Sequence, residues 1–352
     1  MPLQAVAIRH FRNIAEADIL LAPALTLWLG ANGQGKTNGL EAIHVLLTGR
    51  GIRPGGEAEW TQRGSAWMGV SGRWEESGGV AVALRYQVAW HPVKKRLREG
   101  GVRPVVLFSP DDLALVKGSP TDRRAFLDTL LEGVDPAYGR ALRQYQRGLQ
   151  QRNRAIKDGL GRTVVDRFGE VMAGPAVYVW KARAAVVTAL EPRLRAFQAN
   201  VGGNEQVAIG MKWGGAAEPA TDPEGYCRLL AARRYEEEAR GMTLVGPHRD
   251  DLLLWFEGQP AGLYASQGQA RTMALGMKLA THALMEERLG VRPLVLLDDV
   301  LSELDGRRRE ALLRLLAAGD QQAVVTDTGG EAYRDLAPWV YRVEGGRFTR
   351  TR

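Results

Sequence analysis

The string Gly30-Ala-Asn-Gly33-Gln-Gly35-Lys36-Thr37 constrains this chain more than any other part of it. It fits G-x-x-x-x-G-K-[ST], a pattern that carries meaning only between a strand and a helix. Both flanks comply. Residues 25–29 read as a strand, and Asn38-Gly-Leu-Glu-Ala-Ile-His-Val-Leu-Leu47 has helical apolar spacing that closes at Gly49. Glycines let backbone N–H groups face phosphate oxygens without side-chain obstruction. The helix starting near Lys36 aims its positive end at the same anion. Lys36 is then placed to neutralise β- and γ-phosphates, and the Thr37 hydroxyl to ligate magnesium. The expectation is an ATP and Mg2+ site built from Gly30, Ala31, Asn32, Gly33, Gln34, Gly35, Lys36, Thr37 and Asn38.

Leu294-Val-Leu-Leu297-Asp298-Asp299 is the second constraint. Four apolar residues form a strand of the kind buried in a parallel sheet, and such sheets bind ligands at the carboxyl ends of their strands. Asp298 is expected to hold magnesium, and Asp299 to position or deprotonate an attacking water. Ser266-Gln267-Gly268-Gln269 opens a helix over 269–289 and offers a hydroxyl and free backbone N–H groups to an anion. A Ser cap before a helix is commonplace. Its place 32 residues before Asp298, with helix then strand between, suggests a second phosphate site. One γ-phosphate rarely needs two such sites in one chain, whereas two chains facing head to tail use both. The catalytic candidates are therefore Lys36, Asp298, Asp299 and, acting on the partner's nucleotide, Ser266. Ser302, Glu303 and Asp305 follow the acid pair as a dimer-facing loop, although Asp305 alone reads as a helix N-cap.

Charge adds a third element. The chain has 352 residues, a formal net charge of +7 and one cysteine, Cys227. Between 140 and 200 stand twelve basic residues (Arg140, Arg143, Arg147, Arg152, Arg154, Lys157, Arg162, Arg167, Lys181, Arg183, Arg193 and Arg195) against four acids (Asp158, Asp166, Glu170 and Glu191), a local +8. The rest of the chain carries −1. Polar, leucine-punctuated helices are expected over 122–131, 138–157 and 164–197, the last interrupted at Gly174-Pro175. Arg143, Arg147 and Arg154 share one helix face and suit sequence-independent phosphate contacts. With no apolar segment of membrane-spanning length, no secretion signal and a single cysteine, a reduced cytoplasmic setting is expected. Further strands are expected over 5–8, 17–21, 80–90, 105–108, 252–257 and 323–326, and helices over 223–238 and 307–318.

Several strings together resemble one family: Phe11-Arg-Asn13, Gly30 to Asn38 with Leu40-Glu-Ala-Ile43, Phe108-Ser-Pro-Asp-Asp-Leu113, Arg123-Arg-Ala-Phe-Leu-Asp128, Gly246-Pro-His-Arg-Asp-Asp251, Ser266-Gln-Gly-Gln-Ala-Arg271 and Leu297-Asp-Asp-Val-Leu-Ser-Glu-Leu-Asp305. They resemble the ABC-type ATPase heads of the SMC group, and within it the RecF recombination mediators. The resemblance implies an α/β fold. One lobe would be an ABC-type P-loop ATPase head with mixed sheets and flanking helices, over 1–108 with 290–352. A mainly helical second lobe would cover 109–289, with a short arm near 119–200. It also implies an ATP-dependent homodimer, weak DNA-stimulated ATP hydrolysis, and binding of double-stranded and gapped DNA without a membrane. Cooperation with RecR and RecO in placing RecA is implied as well. Arg12 and Asn13 are carried over as nucleotide contacts. Two departures stand out. Asp299 replaces the usual Glu, which implies slow hydrolysis, and Thr326-Asp327 stands where many such heads have a switch His. An ATPase subunit of a transporter or defence machine is the alternative reading.

Overall fold

The computed structural model describes residues 3–76, 79–319, 321–329 and 335–352, apart from the Glu303 side chain. The chain forms two units: Met1–Asp112 with Ala199–Gly203 and Leu275–Arg352, and Leu113–Gln198 with Asn204–Ala274. Among the described residues, no helix is long and apolar enough to cross a membrane.

The first unit is built on a six-stranded sheet. Its spatial order is Arg347–Arg350, Trp339–Glu344, Leu25–Leu29, Ala323–Asp327, Leu294–Leu297 and Val105–Phe108. All neighbours are parallel except the first two strands. Leu25–Leu29, Leu294–Leu297 and Ala323–Asp327 are buried at every position, as strands covered on both faces must be. A five-stranded antiparallel sheet follows the order Ile14–Leu20, Leu3–Phe11, Trp67–Glu75, Ala81–Ala89 and Lys95–Glu99. Apart from the edge strand Lys95–Glu99, exposed at every position, its strands have one buried side, which carries Val6, Ile8, Val70, Leu84 and Val88. The helix Lys36–Thr48 contributes Leu40, Ile43, Leu46 and Leu47 to the same core, where they meet Trp28, Leu296 and Val324 of the parallel sheet. Each such aliphatic burial contributes about 1.5–3 kcal/mol. One helix thus packs into the core shared by two sheets, which fixes its N-terminus at the carboxyl edge of the parallel strands.

The second unit is largely helical. Pro120–Val134 starts with Ser119 and Asp122 bonded to each other, and Pro136–Lys157 with Asp135 accepting from Ala137 N at 2.9 Å. Both have Pro at the first helical position, where its missing N–H is harmless. Pro136–Lys157 packs along Arg162–Phe197, a helix of 36 residues. The break expected at Gly174-Pro175 is absent. Pro175 removes one backbone bond, but Met172, Ala173, Ala176, Val177 and Trp180 are all buried around it and hold the helix through. The single helix expected over 223–238 is two, Pro223–Ala232 and Arg234–Arg240. A three-stranded sheet, Gln259–Pro260, Asp251–Phe256 and Val207–Lys212, completes the unit.

Candidate functional site

The carboxyl ends of the parallel strands in the first unit converge the predicted residues. Leu25–Leu29 feeds the glycine loop, Leu294–Leu297 delivers Asp298 and Asp299, and Ala323–Asp327 ends between them. Gly33 and Gly35 have φ of 77° and 114°, a region that suits glycine. At Gly30 the constraint is steric, since a Cβ there would lie 2.3 Å from the Val343 carbonyl oxygen. The loop tip is tied to a hairpin turn: Gly346 N donates to Gln34 O and Gly345 N to Gln34 Oε1, both at 2.8 Å.

Lys36 is 6% exposed and donates through Nζ to Gly30 O at 2.5 Å and Ala31 O at 3.0 Å. Burial pushes its ammonium below the ordinary value, against the pull of Asp299, Asp298 and Asp327. The Thr37 hydroxyl donates to Asp298 Oδ1 at 3.0 Å, and Thr326 donates to the same oxygen at 2.8 Å. Burial nonetheless raises the Asp298 carboxyl above its usual range, and burial does the same at Asp327. Asp299 Oδ1 is buried without a hydrogen-bond partner. Three carboxylates thus surround one ammonium, two of them held above their usual range and the third with an orphaned oxygen. That donor set fits a divalent cation, with Thr37 and Asp298 as the groups that would hold it.

Arg12 and Asn13 flank the loop. Arg12 donates from Nε and Nη2 to the buried carboxylate of Glu41 at 2.8 and 3.0 Å, and Arg53 reaches Glu41 at 2.6 Å and Asn38 Oδ1 at 2.5 Å. Asn38 in turn donates to Asn13 Oδ1 at 2.7 Å. Burial alone would raise the Glu41 carboxyl, but its bonds to Arg12 and Arg53 hold it below the ordinary value. The sequence assigns no role to Glu41 or Arg53. An apolar-flanked Glu in a helix gives no signal until an arginine 29 residues away is seen to need it.

Ser302 Oγ donates to Asp299 O at 3.0 Å, while Asp305 caps the helix Gly306–Ala318 by accepting from Arg308 N at 2.9 Å. The Glu303 side chain lies outside the described residues. Ser266, Gln267, Gly268 and Gln269 belong to the second unit. There Ser266 N donates to Gln269 Oε1 at 2.8 Å and Ser266 Oγ accepts from Gln269 N at 3.3 Å, a reciprocal cap at an exposed helix tip. A Cβ at Gly268 would meet nothing within 4 Å, and the neighbouring Leu263 and Tyr264 are 80% and 65% exposed.

The basic segment is only partly a charged surface. Arg143, Arg147 and Arg154 are exposed on Pro136–Lys157. Arg152 and Arg183 are each 1% exposed and serve the core. Arg152 bonds Glu237 at 2.6 Å, and Arg183 bonds Asp128 at 2.7 Å and Asp250 at 2.8 Å. The Gly246 to Asp251 string is structural too. Asp250 accepts from Trp180 Nε1 at 3.0 Å and Gly214 N at 2.8 Å. His248 faces Thr243 O with Nε2 and the Tyr145 hydroxyl with Nδ1, and burial pushes its pKa down to about 4. Among the described residues no group of side chains is arranged to hold a metal through His, Cys, Asp and Glu alone.

No protein-family model matches the chain. The DNA replication and repair protein RecF of Heliobacterium modesticaldum is 35% identical, with 100% of both chains covered. RecF of Myxococcus xanthus is 36% identical over 96% of this chain and 93% of its own, and RecF of Deinococcus radiodurans 35% identical over 99% and 95%. This chain belongs to the RecF family. A solved structure of the recombination mediator RecF with ATP superposes at a TM-score of 0.83 and 26% identity, covering 100% of this chain and 98% of that one. The Smc head domain of Pyrococcus furiosus superposes at 0.60 and 15% identity, over 100% and 96%, and shares the fold. The α/β, ABC-type head expected from the sequence is thus the fold of RecF, and of SMC heads beyond it.

Proposed function

We propose that this RecF-family chain is a cytoplasmic, ATP-dependent DNA clamp of recombinational repair. The observation that carries the reading is the meeting of Thr37 and Asp298 at 3.0 Å, beside Lys36 and the orphaned Asp299 oxygen, at the mouth of a glycine loop. Gly30 to Asn38 would cradle the phosphates of ATP through backbone N–H groups, and Lys36 would exchange its two loop carbonyls for β- and γ-oxygens. Magnesium, held by Thr37 and Asp298, would neutralise charge developing on the transferred phosphoryl group. Asp299 orients water in this scheme. As the shorter acid, it reaches less far than a Glu, consistent with a slow turnover that serves as a timer. Arg12 and Asn13 lie beside the loop as further nucleotide contacts.

Ser266 to Gln269, with its exposed helix tip, is the group that grips the nucleotide of a second copy, and Ser302, Glu303 and Asp305 face that copy. ATP then closes a homodimer. Duplex DNA at single-strand gaps binds with help from Arg143, Arg147 and Arg154, and the clamp works with RecR and RecO to place RecA. Light scattering with ATP, ADP and no nucleotide, each with and without duplex DNA, tests this. ATP-specific dimers strengthened by DNA are expected, and Ser266→Arg should abolish them while ATP binding to the monomer persists. Wild-type protein that stays monomeric under saturating ATP and Mg2+ rejects the clamp.

A further inference from the structure

Thr326 has no place among the groups expected to touch nucleotide, yet it is bonded to both acids. It lies next to last in Ala323–Asp327, opposite Trp28 in the register with Leu25–Leu29, and is 0% exposed. Its hydroxyl proton goes to Asp298 Oδ1 at 2.8 Å, and its oxygen accepts the backbone N–H of Asp299 at 2.9 Å. A hydroxyl carries one proton and two lone pairs, so both directions of bonding are used. Asp299 has a φ of 50°, a left-handed conformation that non-glycine residues keep only where the surroundings hold them. The N–H captured by Thr326 belongs to this residue. The next residue extends the junction, because Asp327 O accepts from Gly30 N at 3.3 Å. The end of one strand therefore joins the first acid, the second acid and the start of the glycine loop.

We infer that Thr326 is a positioning residue: its single hydroxyl fixes the side chain of Asp298 and the backbone of Asp299, and so aims both carboxylates. A valine at 326 has nearly the same shape but leaves the Asp299 N–H unpaired and Asp298 Oδ1 with only the Thr37 hydroxyl. The glycine loop and Lys36 bind phosphate without this group, so nucleotide affinity is untouched and turnover is not. The loss expected for removing a partner that orients a ligand-bearing acid is about 10- to 100-fold.

The inference rests on the reading of Asp298 and Asp299 as the acids of an ATP site. Full-length Thr326→Val, Thr326→Ala and Thr326→Ser are compared with wild type for binding of a fluorescent ATP analogue, for steady-state ATP turnover and for the Mg2+ concentration giving half-maximal rate. Expected in the Val and Ala variants are unchanged nucleotide affinity, a kcat lower by about 10- to 100-fold and a higher Mg2+ requirement. The Ser variant, which keeps the hydroxyl, restores wild-type values. Wild-type turnover in either hydroxyl-free variant overturns the inference. So does joint loss of binding and turnover in all three variants, or failure of both hydroxyl-free variants to fold, since each marks a merely structural role. If wild type itself neither binds nor hydrolyses ATP, it is the underlying reading of the site that fails.

Discussion

Lys36 and Arg183, both buried, are neutralised in different ways. Arg183 is enclosed by Asp128, Asp250, Tyr138 and the Pro247 carbonyl, so its charge is spent inside the fold. Lys36 is held chiefly by two loop carbonyls, with three carboxylates acting on it, and its charge stays available to a ligand. Different substitutions probe the two. Arg183→Leu leaves Asp250 buried without its counter-ion and should destabilise the protein by about 3–5 kcal/mol in denaturant titrations. Asp298→Asn keeps both hydroxyl partners but removes the charge that would hold magnesium. It should cut ATP turnover by at least about 100-fold with nucleotide binding retained, as read by parallel turnover and analogue-binding assays. At this scale the sequence was informative where spacing itself is the chemistry, as in Gly30 to Thr37 and the acid pair. It gives no role to Glu41 or Arg53, and marks Thr326 only as standing where a switch His is usual, because the partners of all three are brought close only by the fold.

Among the elements, Pro136–Lys157 separates two kinds of arginine by helical phase. Tyr138, Leu142, Tyr145, Gly148, Arg152 and Ala155 follow the buried seam, so Arg152 takes a core position and bonds Glu237. Arg143, Arg147 and Arg154 fall outside the seam. Their joint replacement by Ala should weaken duplex binding and lower the magnitude of its log-salt slope by about 3, one unit for each phosphate that is no longer neutralised. Fluorescence anisotropy across a salt series measures this, and an unchanged slope assigns DNA binding to other residues. Counting charge along the sequence could not separate Arg152 from Arg154, because the count ignores which face packs. Two strands that were not anticipated have similar explanations. Trp67–Glu75 has Gly72 in the inward phase of Met68, Val70 and Trp74, and Lys95–Glu99 is exposed at all five positions, so neither offers a clean period-two signal.

For the molecule as a whole, one buried acid gives a defined contribution to the response to pH. Glu57 is held down to about 2, since hydrogen bonds from Arg96, Lys94 and Tyr86 outweigh the upward push of burial. A carboxyl whose folded pKa is depressed stabilises above its unfolded value and loses that contribution as the pH falls. Thermal unfolding midpoints should therefore decline from pH 4.5 towards 2, and Glu57→Gln should flatten part of the decline. Equal slopes for wild type and variant would show that Glu57 is not the group responsible. Large-scale organisation was legible where motifs anchored it, as with the parallel strands before Gly30 and Asp298. The hairpin Trp339–Glu344 with Arg347–Arg350 does carry a sequence signal, Gly345-Gly346 with positive φ between two strand runs; only its role, tying down the loop tip at Gln34, depends on the fold.

The place of Leu25–Leu29 in its sheet has a consequence for synthesis. Both of its neighbours, Ala323–Asp327 and Trp339–Glu344, emerge from the ribosome some three hundred residues after it. Pairing across so long a stretch of chain is slow. A nascent polypeptide therefore carries the glycine motif through almost all of translation without the two strands that flank Leu25–Leu29 in the finished sheet. Products truncated before Asp298 lack both acids and Thr326, and so lack the carboxylate half of the pocket.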